Sequence, residues 1–128
     1  MMKALTSLAL ATVLSLFSLA VCAGETAFVQ TQYDQLLASG KPVIVDFYAD
    51  WCPTCKAQKP IVSEVLRNPK LKDVTLFLAN YDQEVALKKA LRITQQSTFV
   101  VFKGGKEVAR STGQTSKDEI EALFERAL

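Results

Sequence analysis

Stretches in which nearly every residue is apolar mark the centre of the predicted fold. A strand that is buried on both faces of a sheet shows such a continuous apolar run. Three of these runs occur, at residues 43–48, 74–79 and 98–102. A shorter strand is expected within residues 25–30, and Gly104-Gly105 predicts a hairpin turn into a further strand at residues 106–111.

Apolar residues at helical spacing alternate with these runs. They predict helices at residues 33–38, 53–66 and 84–91, and a final helix behind the capping box of Ser116 and Glu119. Helices that alternate with strands in this way predict an α/β fold. We therefore expect a mixed sheet that is covered by helices on both faces.

The first 23 residues follow a different pattern, in which Lys3 is the only charge and an apolar stretch rich in Leu and Ala follows. Val21-Cys22-Ala23 then precedes a polar segment, which is typical of a signal peptide cleaved after Ala23. An uncleaved membrane anchor is one alternative, although the run is at the short end for spanning a bilayer. Lipid anchoring at Cys22 is another, but Val21 is larger than the residue that normally precedes a lipidated cysteine.

Removal of residues 1–23 would leave a single domain, residues 24–128, outside the cytoplasm. Its net charge falls from +2 to +1 with the loss of Lys3, which gives no electrostatic reason to bind nucleic acid. The sequence contains no histidine, so histidine-based acid–base catalysis and histidine metal sites are excluded. We expect no metal and no cofactor, and a periplasmic or secreted location that is oxidising toward cysteine pairs.

Two cysteines remain in that domain, in the motif Cys52-Pro53-Thr54-Cys55 at the start of the second predicted helix. Cys52 precedes the helix, where unpaired N–H groups and the helix dipole lower the pKa of a thiol, so we expect it to be the nucleophile. Cys55 lies in the first turn; we expect it to be less exposed and to resolve mixed disulfides. An inert structural disulfide is the alternative, but a loop this short constrains little of the unfolded chain.

The residues around this motif resemble the thioredoxin family over the whole of residues 24–128. They comprise Val45-Asp46-Phe47, Ala49, Trp51-Cys52, Cys55-Lys56, Pro60, Asp82-Gln83, Thr98, residues 102–105 and Gly113. The resemblance implies a thioredoxin fold, thiol–disulfide exchange and proton transfer by Asp46 at Cys55. Further residues expected to border the substrate groove or tune the site are Trp51, Pro53, Thr54, Gln96, Ser97, Thr98 and Gly113.

Asp46 is a carboxylate in an otherwise apolar strand, and burial is expected to raise its pKa. The alternative is an aspartate at a strand end that reaches solvent. Many thioredoxins place a lysine near this aspartate, whereas the matching position here is Leu78. Asp46 is therefore expected to be harder to ionise.

The chain departs from the family at Ser97, where thioredoxins carry a cis-proline just before the threonine that opens the third core strand. A cis bond before a residue other than proline costs about 2.5–4 kcal/mol, so we expect a trans Gln96–Ser97 bond and a repacked loop. The Ser97 carbonyl is expected to remain available to an extended substrate segment. The Ser97 hydroxyl is expected to donate to the Cys52 thiolate, and slower turnover through stabilised mixed disulfides is the alternative.

The predicted function is that of an exported thiol–disulfide oxidoreductase that reduces disulfides in extracytoplasmic proteins. Cys-Pro-Thr-Cys is similar to the motif of exported thioredoxins that serve cytochrome c maturation. This likeness implies apocytochrome c or a peroxidase as substrate and a membrane electron donor of the DsbD type. A disulfide oxidase or isomerase is the alternative within this class, and a non-catalytic thioredoxin-like interaction module is the alternative outside it.

Overall fold

A computed structural model describes residues 24–128, and the predicted signal peptide, with Cys22, lies outside the described residues. Five strands form one sheet: β1 (Gly24–Ala27), β2 (Val43–Tyr48), β3 (Thr75–Asn80), β4 (Thr98–Lys103) and β5 (Lys106–Thr112). Their order across the sheet is β1-β3-β2-β4-β5. The strands β1 and β2 run parallel to β3, whereas β4 is antiparallel to both β2 and β5. The predicted mixed sheet is confirmed.

Four α-helices flank this sheet: α1 (Gln30–Ala38), α2 (Pro53–Val65), α3 (Val85–Leu91) and α4 (Lys117–Glu125). A short 3-10 helix, Pro69–Leu71, follows α2. Half of the predicted capping box forms: the backbone N–H of Glu119 donates to the Ser116 hydroxyl at 3.5 Å. The Ser116 N–H donates to Gln114 Oε1 at 3.0 Å and not to the Glu119 side chain, so the reciprocal bond is absent. Among residues 24–128, no helix combines the length and the apolar composition that crossing a bilayer requires.

The core lies in two layers, one on each face of the sheet. One layer joins Ile44 of β2 to apolar residues of α2 and α4, and the other joins Val45 and Phe47 to residues of α1 and α3. Successive side chains of a strand point to opposite faces, so Asp46 shares the face of Ile44 and lies beneath α2. The fold thus brings the one carboxylate of β2 to the helix that carries the cysteines.

The beginning of the described chain differs in detail from the prediction. The first strand covers Gly24–Ala27 and α1 begins at Gln30, three residues before the predicted start. Phe28 explains the shift, because its ring packs against Tyr33 and Phe77, with centroids 5.5 Å and 5.8 Å away. Phe28 therefore contributes to the core instead of the sheet, whereas Val29 is 42% exposed.

Candidate active site

The start of α2 presents the two cysteines. Cys52 is the N-cap residue, and its sulfur accepts a hydrogen bond of 3.1 Å from the backbone N–H of Cys55. Pro53 occupies the first helical turn, where a missing N–H leaves no hydrogen bond unmade. This placement of Cys52 before the helix and Cys55 inside its first turn is the predicted one.

Ser97, in the loop before β4, lies against both sulfurs. Its hydroxyl oxygen is 3.0 Å from the sulfur of Cys52 and 3.1 Å from the sulfur of Cys55. No peptide bond within residues 24–128 is cis, so the expected trans Gln96–Ser97 bond is confirmed. Ser97 adopts a φ of 60°, in the left-handed region that serine seldom occupies, and this rotation turns its side chain toward the cysteines.

Both cysteines are buried, with 1% of Cys52 and 8% of Cys55 exposed. The expected exposure of Cys52, the nucleophile, is therefore not observed. Ser97, from a distant part of the sequence, lies against both sulfurs and contributes to their burial.

The hydrogen bonds at the site push the two thiol pKa values in opposite directions. Burial alone would raise the pKa of Cys52, but hydrogen bonds from Cys55, Ser97 and Gln96 outweigh it and lower that pKa below its usual value. Burial and the hydrogen bond to Cys52 raise the pKa of Cys55, against the opposing effect of Ser97. Cys52 is consequently the thiol that ionises first.

The backbone of Ser97 is already engaged, which contradicts the expectation that its carbonyl remains available to substrate. Its N–H donates to the Phe47 carbonyl at 2.8 Å, and its own carbonyl accepts from Gly113 N–H at 2.9 Å. These bonds fix the loop between β2 and the end of β5. The backbone of neighbouring Gln96 has no hydrogen-bond partner among residues 24–128.

Asp46 lies on the opposite side of the cysteine pair and is buried. Its Oδ1 has no hydrogen-bond partner among the described residues. Burial, and secondarily the negative charge of Glu25, raise the pKa of Asp46 to about 7. Leu78 is its neighbour on β3 and supplies no cation. The alternative of a solvent-reaching aspartate is therefore wrong, and the predicted rise in pKa is confirmed.

A cleft of about 350 Å³ lies between Asp46 and Cys55. Asp46, Cys55 and Lys59 are among the residues that line it, together with Glu25 and Leu78. Since Asp46 and Cys55 line the same cleft, a proton can pass between them through water.

The remaining residues predicted for the site fall into two groups. Trp51 is 58% exposed at the rim and donates from Nε1 to the Asp82 carboxylate at 2.8 Å, while Pro53 is also exposed and Thr54 is half-buried. Thr98 is buried instead, and its hydroxyl bonds to the Gln95 carbonyl at 2.9 Å and to Thr112 at 2.8 Å. Thr98 therefore holds the loop and does not border the groove.

Gly113 and Gln58 complete the contacts around Ser97. Gly113 has a φ of 75°, which glycine adopts without strain, and its N–H holds the Ser97 carbonyl. Gln58 of α2 was missed by the sequence reasoning. It is 1% exposed, and its Nε2 donates to the carbonyls of Gln114, at 2.8 Å, and Ser97, at 3.4 Å. A polar residue on the buried face of α2 was the signal that could have found it.

Within residues 24–128, no group of three or more His, Cys, Asp or Glu side chains lies close enough together to hold a metal ion. The chemistry available to the described residues is therefore that of two thiols, one hydroxyl and one buried carboxyl group. A pair of thiols with separated pKa values at a helix N-terminus is suited to thiol–disulfide exchange. Fold and site together define a thiol–disulfide exchange protein with a thioredoxin fold.

Known proteins share this fold and sequence. The family profile named Thioredoxin matches residues 25–126. The chain is 35% identical over 95 residues to the thioredoxin of Mycoplasmoides gallisepticum, covering 74% of this chain and 93% of that protein. It is 33% identical over 84 residues to Thioredoxin-2 of Saccharomyces cerevisiae, covering 65% and 79% of the two chains.

The crystal structure of Trxlp from Edwardsiella tarda is similar, with a TM-score of 0.77, 36% identity and coverage of 79% of this chain and 98% of that one. The chain thus belongs to the thioredoxin family, whose members act on disulfide-containing proteins. It is a thiol–disulfide oxidoreductase of that family.

Proposed function

We propose that the protein is exported and that it reduces disulfides in extracytoplasmic proteins through a dithiol–disulfide cycle of Cys52 and Cys55. The observation that carries the exchange chemistry is the group of hydrogen bonds that lowers the pKa of Cys52 while the pKa of Cys55 is raised. The proposal of export rests on the signal-peptide pattern of residues 1–23.

The first step is attack of the Cys52 thiolate on one sulfur of the substrate disulfide. A new disulfide forms between Cys52 and the substrate, and the second substrate sulfur leaves as a thiolate that takes a proton. Cys55 then loses its proton and attacks the sulfur of Cys52. This second exchange releases the other substrate thiol and leaves the Cys52–Cys55 disulfide, so two electrons pass from the protein to the substrate.

Asp46 is the proposed acceptor for the proton of Cys55. Its pKa of about 7 makes the carboxyl group partly ionised near neutral pH, which suits a general base. Asp46 and Cys55 line the same cleft, which gives the proton a path between them.

The proposed docking surface consists of Trp51, Pro53, Thr54 and the loop at Gln96. The unpaired backbone of Gln96 can bond to an extended substrate segment, as in strand addition. Trp51 offers a large exposed ring beside the sulfurs, and its hydrogen bond to Asp82 orients that ring. The groove is uncharged at Gln95, Gln96 and Gln114, so selection of a charged partner is not expected.

The proposed partners follow from the location outside the cytoplasm. An exported reductant must be recharged there, and a membrane electron donor of the DsbD type would do this. Apocytochrome c cysteines and a peroxidase are the proposed substrates, because Cys-Pro-Thr-Cys is similar to the motif of exported reductant thioredoxins. We propose a periplasmic or secreted protein cleaved after Ala23, with lipid anchoring at Cys22 as the less favoured alternative.

Disulfide oxidation or isomerisation is the second candidate function, and the contacts of Ser97 favour it. Hydrogen bonds to a thiolate stabilise the reduced pair, and a pair stabilised in this way is a stronger oxidant. The two candidates therefore differ in the reduction potential of Cys52–Cys55.

An insulin-reduction assay and a redox titration against glutathione test the proposal together. Wild-type protein is expected to reduce insulin, Cys52→Ser is expected to be inactive, and the potential is expected near that of thioredoxin, at about −270 mV. A potential near −120 mV, close to that of DsbA, would support an oxidant instead. An inert pair would contradict both candidates. N-terminal sequencing of the exported chain is expected to begin at Gly24, and a start at Cys22 would contradict cleavage after Ala23.

A further inference from the structure

We propose that Gln58 is a positioning residue that holds the Ser97 hydroxyl between the two sulfurs and thereby sets the reduction potential of the cysteine pair. The inference rests on the proposed exchange chemistry of Cys52 and Cys55 and deepens it. No part of the family pattern in the sequence pointed to Gln58.

Gln58 connects the helix of the cysteines with the loops that face it. It lies three residues after Cys55, and its Nε2 donates to the Gln114 carbonyl at 2.8 Å and to the Ser97 carbonyl at 3.4 Å. Because both partners are carbonyl oxygens, only the NH₂ side of the amide can face them. One side chain thus links α2 to the loop before β4 and to the segment after β5.

The orientation of the Gln58 amide has a consequence for stability. Its Oε1 is left buried and has no hydrogen-bond partner among the described residues. A buried polar atom without a partner destabilises the fold, and an apolar side chain of similar size would avoid the loss. Gln58 is therefore a poor choice for packing alone, and its donor group is the feature that an apolar residue cannot supply.

Ser97 is the residue that needs such a link. Its φ of 60° is disfavoured for serine, so the surrounding contacts must hold it there. The Phe47 carbonyl and the Gly113 N–H attach its backbone to the sheet. Apart from the contacts of its hydroxyl with the two sulfurs, Ser97 is joined to α2 by the Gln58 side chain, which bonds to its carbonyl. Gln58 therefore helps to set the distance from the Ser97 hydroxyl to those sulfurs.

The position of the Ser97 hydroxyl is expected to change the reduction potential of the cysteine pair in one direction. A hydroxyl donor stabilises the Cys52 thiolate of the reduced pair, whereas the disulfide carries no thiolate to stabilise. Holding the Ser97 hydroxyl in place therefore favours the reduced form and raises the reduction potential. Loss of the Gln58 link is expected to lower the potential and to make the protein a stronger reductant.

Gln58→Met removes the donor and keeps a side chain of similar length, and Gln35→Met on the exposed face of α1 is the matched control. Redox titration against glutathione is expected to shift the equilibrium about tenfold toward the disulfide in Gln58→Met, which corresponds to about 30 mV. Alkylation of Cys52 is expected to require a higher pH in the same variant. Gln35→Met is expected to match wild type in both measurements.

A double mutant separates positioning from a purely structural role. Gln58→Met is expected to change neither the potential nor the alkylation profile once Ser97→Ala is present, because its effect passes through the Ser97 hydroxyl. An equal shift in the presence and absence of Ser97 would overturn the proposal. A folded Gln58→Met with an unchanged potential and a lower melting temperature would also overturn it.

A measurement on the wild-type protein tests the inference even if the variants fail to fold. Nuclear magnetic resonance is expected to show the Gln58 side-chain amide protons protected from exchange with solvent and shifted when the cysteine pair is oxidised. A rapidly exchanging amide that does not respond to oxidation would overturn the inference. Reduction of insulin by the wild-type chain in the same preparation shows independently whether the proposed function holds.

Discussion

The two sides of the cysteine pair are built differently. On the Ser97 side, a hydroxyl lies about equally far from both sulfurs, at 3.0 Å and 3.1 Å, and the backbone around it is hydrogen-bonded. On the Asp46 side, Cys55 shares a cleft with a buried carboxyl group whose Oδ1 has no partner among the described residues. The Ser97 side lowers the pKa of the Cys52 thiol. The buried setting of Asp46 raises the pKa of the group proposed to accept the proton of Cys55.

The largest expected effect comes from removing the nucleophile. Cys52→Ser is expected to reduce the rate of insulin reduction to that of the uncatalysed reaction, because no other described thiol has a lowered pKa. Cys55→Ser is the matched variant; it is expected to retain attack by Cys52 and to accumulate mixed disulfides, which non-reducing electrophoresis detects. Catalytic turnover by Cys52→Ser would contradict the assigned roles.

The next largest effect is expected on the folding stability of the protein, which depends on the ionisation of Asp46. The pKa of Asp46 is raised from 3.8 to about 7, so the folded protein binds its proton more tightly than the unfolded chain does. The stability of wild type is therefore expected to fall as the pH rises from about 4 to about 7, and the loss remains at higher pH. Asp46→Asn removes the ionisation and is expected to be more stable by about 4 kcal/mol at pH 8.

Urea unfolding of wild type and Asp46→Asn at pH 4 and pH 8 measures this difference. The two proteins are expected to be close in stability at pH 4, which lies near the unfolded-state pKa of 3.8 and well below the folded-state pKa of about 7, so that little of the loss has developed. Asp73→Asn, on an exposed aspartate, controls for loss of a surface charge. An equal difference at both pH values would show that Asp46 does not titrate as described.

A smaller effect is expected from the Ser97 side. Ser97→Ala keeps the backbone hydrogen bonds and the Cβ atom but removes the hydroxyl, so one hydrogen bond to the Cys52 thiolate is lost. Such a bond to a charged group contributes about 1.5 kcal/mol or more, and alkylation of Cys52 at pH 7 is expected to slow on the order of tenfold. Ser97→Gly, which adopts the observed φ without strain, is expected to slow alkylation equally. A normal rate in both variants would make the hydroxyl incidental.

The smallest effect is expected at the rim. Trp51→Phe removes the hydrogen bond to Asp82 but keeps an aromatic ring, and this exposed bond is expected to contribute about 0.5 kcal/mol to stability. Asp82→Asn, which retains an oxygen acceptor, is the control. Neither variant is expected to change the pH profile of Cys52 alkylation. A changed profile would mean that the rim, and not Ser97, controls the thiol.

The sequence predicted best the parts of the molecule whose signals are local. Local sequence specifies the apolar run of β2, the Cys52-Pro53-Thr54-Cys55 turn into α2 and the Ser116 N-cap of α4. Burial of Asp46 also followed from its place in an apolar strand. These features depend on residues within a few positions of each other.

The contacts that distinguish the site are not local and could not be predicted in the same way. The hydroxyl of Ser97 contacts the sulfur of Cys52 across a separation of 45 residues, and Cys52 is buried where exposure was expected. Gln58 donates to Gln114 across 56 residues, and no residue near Gln58 in the sequence indicates this partner. Glu25 affects Asp46 only because β1 and β2 flank β3 in the sheet.

The order in which the two thiols ionise tests the account most directly. Brief alkylation of the reduced wild-type protein over a range of pH, followed by mass spectrometry of each cysteine, measures both thiols in one sample. Cys52 is expected to react at a pH below that of an ordinary thiol, and Cys55 is expected to react only at a higher pH. Reaction of Cys55 before Cys52, or of both at the pH of an ordinary thiol, would contradict this expectation.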